Sequence, residues 1–245
     1  MTVVEHLAEL RRRLIVSAAA FVVISTLAFI YFEPLSEFLT RPYCQLPPRL
    51  LPRQGCDLIV LKPLSAFYFR LKLTALAGIA LSSPLWLYQI FAFIVPALTH
   101  KERRYAIPFL LSSVALFLMG AAFAYLTLPT GLSFLLGLGG SKVDTLLGAE
   151  EYLDFIGLLL LGFGITFELP LVLIFLGLAG AVSAQQLRQQ RRTAIVLIFL
   201  LAAVVTPSQD PYTMSVLAIP LYLLYEVTIV VLSRLVGHRE EAPRS

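Results

Sequence analysis

Charged side chains are scarce in this sequence. Asp, Glu, Lys and Arg make up 14% of its 245 residues, whereas apolar residues make up 58% and the mean hydropathy is +0.84. Soluble globular domains carry about 25% charged residues, so this composition excludes an ordinary soluble protein. It predicts a membrane protein whose spans are helices, because a backbone in lipid must satisfy its own hydrogen bonds and the alternating strands of a membrane barrel are absent.

Groups that carry enzyme chemistry are also few. The chain has three histidines and two cysteines, and it lacks the H-E-x-x-H, G-x-S-x-G, P-loop and G-x-G-x-x-G motifs. Its aspartates fall in predicted loops or at the ends of predicted spans, which does not indicate an intramembrane aspartyl protease; they are Asp57, Asp144, Asp154 and Asp210. We therefore predict a protein that is not an enzyme and that holds no metal ion or cofactor.

Apolar residues are gathered into six blocks, and we predict one membrane-spanning helix from each. The blocks are residues 14–32, 66–95, 105–128, 152–177, 193–205 and 214–232. We predict a single all-α membrane domain over 1–245, with an amphipathic helix at 1–13, six spans within 14–232 and a tail at 233–245. The first block follows a charged helix and lacks a cleavage site, so we do not expect a cleaved signal peptide. We expect the short fifth and sixth spans to thin a hydrocarbon core that is normally about 30 Å thick.

Basic residues predict the orientation of these spans. With six spans, both termini and the second and fourth loops lie on one side, which holds twelve of the 19 lysines and arginines, while the other side holds five. The positive-inside rule then predicts that both termini are cytoplasmic and that the protein lies in the cytoplasmic (inner) membrane. Because topology explains the net charge of +4, no nucleic-acid partner is predicted.

The first outer loop, residues 33–63, is rich in proline and contains both cysteines, Cys44 and Cys56. Two thiols on the oxidising side of a membrane can form a disulfide. The alternative is a pair of unlinked small residues, since spacing alone does not supply the geometry of a bridge.

Polar features near the predicted cytoplasmic face are candidates for function. In "HLAELRRRL", residues 6–14, Glu9 and Arg13 stand four positions apart and are expected to pair on one helical face. This segment is either an interfacial anchor for the first span or part of a binding site. In "PALTHKERRYAIP", residues 96–108, Glu102 lies among basic residues. It either moderates a basic loop or receives a cationic guest, for which an arginine guanidinium is well suited.

The stretch "FGITFELP" places Glu168 as the sole ionisable group between residues 155 and 184. Inserting a carboxylate at the centre of a span costs about 3 kcal/mol or more, so this group needs a purpose. One interpretation is a carboxyl hydrogen-bonded to a neighbouring helix of the same chain. The other is a polar anchor that receives a polar group from a partner's single span. Gly157 and Gly164 on the same face favour either close helix packing or a hydrated cavity.

Four stretches together resemble the TatC family, the receptor subunit of the twin-arginine protein translocase. They are "HLAELRRRL", "SSPLWLYQIFAFIVPALTHKERR" at 82–104, "FGITFELP", and "TPSQDPYTMSVLAIPLYLLYE" at 206–226. The resemblance implies six helices in a cupped, glove-like arrangement with cytoplasmic termini. It also implies binding of S-R-R-x-F-L-K signal peptides of folded cargo, single-span TatA and TatB partners, a homo-oligomer within the receptor complex, and transport driven by the proton-motive force.

The resemblance also implies roles for particular residues. Those assigned to signal-peptide binding are Glu9, Leu10, Arg11, Arg13, Pro84, Gln89, Phe93, Pro96, Glu102 and Arg104. Glu102 is the expected acceptor of the twin arginines, Glu168 corresponds to the intramembrane glutamate of the family, and Asp210 corresponds to the acidic residue of the last outer turn. The sequence departs from the family pattern in that turn, which reads Thr-Pro-Ser-Gln-Asp, at Ala97 and Thr99, and in its two cysteines.

Two other functions are compatible with a polytopic helical protein. A proton-coupled secondary transporter using Glu168 would also contain an intramembrane carboxylate, but its two halves would usually resemble each other, and here they do not. A purely structural membrane protein would contain the spans without a need for acidic groups at the cytoplasmic entrance.

Overall fold

The structure is a computed structural model that describes residues 3–51, 58–60, 62–94, 106–138, 147–206 and 210–240. Within these ranges the chain is helical, as predicted. The helices are α1 (Val3–Ile30), α2 (Phe32–Cys44), α3 (Ser65–Leu81), α4 (Ser83–Ile94), α5 (Ala106–Gly137), α6 (Ala149–Thr166), α7 (Leu169–Leu178), α8 (Ala184–Gln189), α9 (Arg191–Val205) and α10 (Pro211–Glu240), with one 3₁₀ turn at Pro48–Leu50.

Four stretches of the described residues are long and apolar enough to cross a membrane. They are Val4–Ile30, Ile107–Gly137, Ala149–Leu178 and Pro211–Leu235, and a fifth is formed if the bent pair Ser65–Leu81 and Ser83–Phe93 is one span. The predicted amphipathic helix and the predicted first span form one continuous helix, α1. The chain is therefore an all-α protein with several candidate spans.

The second predicted span, 66–95, is broken rather than straight. Helices α3 and α4 meet at Ser82 with a bend of 51°. Pro84 lies in the first turn of α4, where it has no N–H to bond to the preceding turn and its ring obstructs a continuous helix. The Trp86 indole N–H donates to the Ile79 carbonyl oxygen at 3.1 Å, which satisfies a backbone group exposed by the break.

The last two predicted spans differ in length. Helix α9 has 15 residues and is about 22 Å long, shorter than a hydrocarbon core of about 30 Å. Helix α10 has 30 residues and is about 45 Å long, so the prediction of a short sixth span was wrong. The helix is longer than its apolar block because it begins at Pro211, directly after Asp210, and continues through the polar residues that follow the block.

The chain divides into two compact units, Met1–Phe93 with Ala121–Leu161, and Ile94–Gly120 with Gly162–Ser245. In the first unit, α1 packs closely on α3, where a Cβ atom at Gly78 would collide with the Ser25 hydroxyl. Tyr43 of α2 is fully buried there, and burial raises the pKa of its hydroxyl above the ordinary value. The Tyr152 hydroxyl of α6 donates to the Leu39 carbonyl oxygen at 2.6 Å.

The second unit has an apolar cluster formed by Leu187, Tyr225, Ile229 and Leu232. The Tyr225 hydroxyl donates to the Leu187 carbonyl oxygen at 2.7 Å and so ties α8 to α10. At Gly177, the absence of a side chain lets α7 approach Leu232 of α10.

Candidate functional site

An ion pair on α1 forms the centre of the first candidate site. Arg13 donates to Glu9 Oε1 from Nε at 3.0 Å and from Nη2 at 2.6 Å. The remaining guanidinium nitrogen, Nη1, donates to Gln89 Oε1 of α4 at 3.2 Å. The predicted pairing of Glu9 with Arg13 is confirmed, and Gln89 connects the pair to a second helix.

A recess of about 320 Å³ adjoins this ion pair, which we call the N-terminal recess. Its lining residues are Glu9, Arg12, Arg13, Val16, Tyr88 and Gln89. The Glu9 and Arg13 side chains are each 22% exposed, so the charges are held in place yet remain reachable. One acidic group, two guanidinium groups and an aromatic ring therefore surround a space large enough for a side chain of a ligand.

Contacts further along α1 and α4 join the two helices at the same end. The His6 ring stacks on the Phe93 ring, with centroids 4.3 Å apart. Leu10 is half-buried, and Arg11 is exposed on the surface of α1. Pro84 is exposed in the first turn of α4 and contributes to the site through the bend that it causes. Three other predicted site residues, Pro96, Glu102 and Arg104, lie outside the described residues.

The second candidate site surrounds Glu168, at the break between α6 and α7. Glu168 is the N-cap residue of α7, but its side chain makes no capping bond. Instead, the Ser113 hydroxyl of α5 donates to Oε2 at 2.8 Å. The other oxygen, Oε1, is buried and has no hydrogen-bond partner among the described residues.

Two glycines bring α5 and α6 close together next to this carboxyl group. A Cβ atom at Gly120 would lie 2.6 Å from the Phe163 carbonyl oxygen, and one at Gly164 would lie 2.8 Å from Cε2 of Phe117. Both distances are shorter than Cβ contacts normally are, so a side chain at Gly120 would displace the backbone of α6 and one at Gly164 would displace the Phe117 ring. The sequence left two alternatives for Gly164, close helix packing and a hydrated cavity. The structure shows close helix packing.

Known proteins match nearly the whole chain. The family model described as "Sec-independent protein translocase protein (TatC)" matches residues 5–220. The chain is 40% identical over 232 residues to the Sec-independent protein translocase protein TatC of Aquifex aeolicus, with 94% of this chain and 93% of the relative covered. The chain belongs to the TatC family.

A solved structure and a second relative agree with this assignment. The crystal structure of the twin arginine translocase receptor TatC in DDM superposes with a TM-score of 0.77 at 40% identity, covering 92% of this chain and 98% of the other. The TatC of Frankia casuarinae is 45% identical over 237 residues, with 94% of this chain covered. This chain spans 65% of the length of the Frankia relative and 60% of that of Corynebacterium kroppenstedtii.

Family membership confirms the predicted resemblance, and the TatC matches give no support to the alternative of a proton-coupled transporter. The Ser113 hydroxyl donates to Oε2 of Glu168 from a neighbouring helix, as the first interpretation of this residue predicts. The second interpretation, a contact with a partner's span, stays a prediction.

Asp210, predicted in the last outer turn, is buried and caps the N-terminus of α10. The Thr213 backbone N–H donates to Oδ1 at 2.8 Å, and the Thr213 hydroxyl donates to Oδ2. These bonds satisfy an N-terminal donor of the helix and stabilise its start by about 1 kcal/mol. Cys44 is the last residue of α2, whereas Cys56 lies outside the described residues, so the bridge between them stays a prediction.

Sequence reasoning missed three residues of the two candidate sites. Tyr88 and Arg12 line the N-terminal recess, and their signal was adjacency to the predicted residues Gln89 and Arg13. Ser113 had no signal, because its pairing with Glu168 spans 55 residues. Among the described residues, no group of three or more His, Cys, Asp or Glu side chains is placed to hold a metal ion.

Proposed function

We propose that this chain is the signal-peptide receptor and core subunit of a twin-arginine translocase, which exports folded proteins using the proton-motive force. Its similarity to a protein described as the twin arginine translocase receptor supports this role. The observation that carries the proposal is the Glu9 carboxylate at the N-terminal recess, paired with Arg13 and Gln89 yet partly exposed.

The recess has the chemistry to receive a guanidinium group. Both contacts from Arg13 use Oε1 of Glu9, and no described residue donates to Oε2, which is therefore available to a second arginine. Tyr88 is 51% exposed, so one face of its ring is available for cation–π stacking with a guanidinium group. A planar guanidinium can bind a carboxylate and stack on a ring at once, whereas the ammonium of lysine is a point charge.

Glu102 completes the proposed site. Carboxylates at residues 9 and 102 would give each arginine of the peptide one acceptor, and Glu102 is proposed as the main one. Arg104 and Pro96 belong to the same loop, and Leu10, Arg11 and Phe93 contribute the surrounding surface.

We infer a six-span topology in the inner membrane, with α9 as the short fifth span and both termini in the cytoplasm. The unequal distribution of lysine and arginine between the loops supports this orientation. It places the N-terminal recess on the cytoplasmic side, where cargo is made.

Glu168 is proposed as the contact for the partner subunits. A buried oxygen without a donor costs about 1–3 kcal/mol, and Oε1 of Glu168 is such an atom among the described residues. A polar side chain on the single span of TatA or TatB would remove this cost. Several copies of the receptor are expected to assemble with these partners.

Peptide binding by the purified full-length chain tests the proposal. A fluorescent S-R-R-x-F-L-K peptide should bind, and its twin-lysine version should bind at least tenfold more weakly. Glu102→Gln and Glu9→Gln should each reduce the affinity tenfold to hundredfold, because each removes a charge-assisted pair worth about 1.5–3 kcal/mol.

Glu37→Gln is the matched control, since Glu37 is an exposed carboxylate of α2, and it should leave the affinity unchanged. Equal affinity for the two peptides, or unchanged affinity in both site variants, would refute the proposed recognition.

A further inference from the structure

A pair of stacked rings lies beside the N-terminal recess, and the ion pair there does not account for it. The His6 ring of α1 stacks on the Phe93 ring of α4, with centroids 4.3 Å apart and 21° between the ring planes. Phe93 is half-buried, whereas His6 is exposed. One face of the imidazole covers Phe93, so its opposite face is open to a further ring. In the described part of the chain, no second ring stacks on His6.

Helix geometry gives the position of this ring pair relative to the recess. His6 precedes Glu9 by three residues on α1, and Phe93 follows Gln89 by four residues on α4. Residues three or four apart lie on the same face of a helix, about 4.5–6 Å apart along its axis. The ring pair therefore lies one helical turn from the carboxylate and the amide that line the recess.

An extended peptide has a similar spacing between its side chains. In the S-R-R-x-F-L-K peptide, the phenylalanine follows the second arginine by two residues. Side chains two residues apart in an extended chain lie on the same side, about 6.5–7 Å apart. This spacing exceeds one helical turn by about 1–2 Å, which side-chain rotation can absorb. A peptide whose second arginine binds Oε2 of Glu9 therefore brings its phenylalanine to His6.

We propose that His6 and Phe93 form an aromatic subsite, in which the phenylalanine ring of the signal peptide stacks on the exposed face of His6. The subsite rests on the proposed receptor function and adds a second element of specificity to it. A ring contact contributes about two- to tenfold in affinity beyond the area that it buries. Leucine at the same peptide position would bury apolar area without this contact, so the subsite favours an aromatic side chain.

A merely structural ring pair would join α1 to α4 without touching the peptide. The two roles predict different coupling between His6 and the peptide. If His6 contacts the phenylalanine, its removal should matter only while the phenylalanine is present, because the two changes remove the same contact. If His6 only joins the helices, its removal should weaken every peptide by the same factor.

A double-mutant cycle with the purified full-length chain tests the proposal. His6→Ala should weaken binding of the S-R-R-x-F-L-K peptide about fivefold, and binding of the same peptide with alanine in place of phenylalanine less than about twofold. His6→Tyr retains a ring at this position and should bind the phenylalanine peptide within about twofold of wild type.

Phe38→Ala is the matched control. Phe38 stacks on Tyr125 in the same unit, with centroids 4.6 Å apart, and lies on α2, away from the recess residues. This variant also loses one ring of a stacked pair, and it should leave the affinity for both peptides unchanged.

The twin-lysine peptide separates this inference from the receptor function. If it binds as tightly as the twin-arginine peptide, the receptor function is refuted and the subsite with it. If the preference for arginine holds but His6→Ala weakens the phenylalanine and alanine peptides equally, the subsite alone is refuted. A tyrosine variant that binds no better than the alanine variant would refute it as well.

Discussion

Glu9 and Glu168 are both half-buried carboxylates, but their hydrogen-bond partners differ. Glu9 is partly exposed at the N-terminal recess and holds two bonds from Arg13. Glu168 accepts a single bond, from a neutral hydroxyl, and its second oxygen is buried without a partner among the described residues. Both residues are half-buried, so the difference lies in their partners: Glu9 is paired with a charged group, whereas Glu168 has a neutral donor on one oxygen and a buried second oxygen without a described partner.

This difference matches the two roles proposed for these residues, reversible peptide recognition at Glu9 and anchoring of a partner subunit at Glu168. Oε2 of Glu9 has no donor among the described residues, so a guanidinium group can bind there and leave again without breaking the pair with Arg13. A buried unpaired oxygen destabilises by about 1–3 kcal/mol, so a group that supplies the missing donor is held firmly. This contrast supports the two proposed roles, reversible peptide binding at the recess and lasting subunit contact at Glu168.

Replacing Glu168 is expected to have the largest effect. Glu168→Leu removes the acceptor, so recruitment of the single-span partners and export should fall about hundredfold, while signal-peptide affinity should change less than twofold. Glu168→Gln retains an oxygen and adds a donor, so export should stay within about threefold of wild type. Export of a folded reporter and copurification of the partners measure these effects.

Thermal unfolding of both Glu168 variants controls for misfolding. Normal export by the leucine variant would show that Glu168 is not needed for partner binding. If the leucine variant lost both peptide binding and partner recruitment, the cause would be structural damage. The variant would then no longer test the contrast with Glu9.

Local features of both sites were predictable from the sequence, and long-range ones were not. The pairing of Glu9 with Arg13 follows from one turn of a single helix, and the isolation of Glu168 in an apolar block identifies it as special. By contrast, Gln89 reaches Arg13 across 76 residues, because the bend at Ser82 sets the direction of α4. Pro84 carried a signal for that bend, but the uniform hydropathy of the block favoured one straight span.

The length of the sixth span was the other feature that could not be predicted from the sequence. Hydropathy marks where a helix can lie in lipid, and it does not mark where the backbone hydrogen bonds stop. The capping bonds of Asp210 start α10 before its apolar block, and the helix continues past the end of the block, through Gly237, to Glu240. The close packing of Gly120 and Gly164 depends on which helices meet, which one sequence does not specify.

Gly120→Ala is expected to have an intermediate effect and tests whether close packing holds the Glu168 site together. The added Cβ atom would lie 2.6 Å from the Phe163 carbonyl oxygen, so α5 must move away from α6 and weaken the bond from Ser113. Overpacking of this kind destabilises by about 1–3 kcal/mol. The thermal unfolding midpoint in detergent should fall accordingly.

Gly137→Ala is the matched control in the same helix, because a Cβ atom there meets nothing within 4 Å. Alanine is the better helix former, so this variant should be as stable as wild type or slightly more stable. Equal effects of the two alanines would mean that the contact with Phe163 does not constrain α5.

Gln89→Ala should have the smallest effect, and its comparison with Ser113→Ala tests the contrast between the two carboxylates directly. Loss of the Gln89 amide leaves Arg13 with both bonds to Glu9 at a solvated recess, so stability should change by less than about 0.5 kcal/mol. Loss of the buried Ser113 hydroxyl leaves Glu168 without its one described side-chain partner, next to an Oε1 atom that is already buried and unpaired among the described residues, which should cost about 1–3 kcal/mol. In peptide binding the order reverses, because Gln89 itself lines the N-terminal recess and its loss removes a polar group beside the guest. Gln89→Ala should therefore weaken binding of the twin-arginine peptide two- to fivefold, whereas Ser113→Ala should leave it unchanged. Unfolding midpoints and peptide affinities of the two variants provide both measurements, and equal stability losses would mean that burial does not distinguish the two sites.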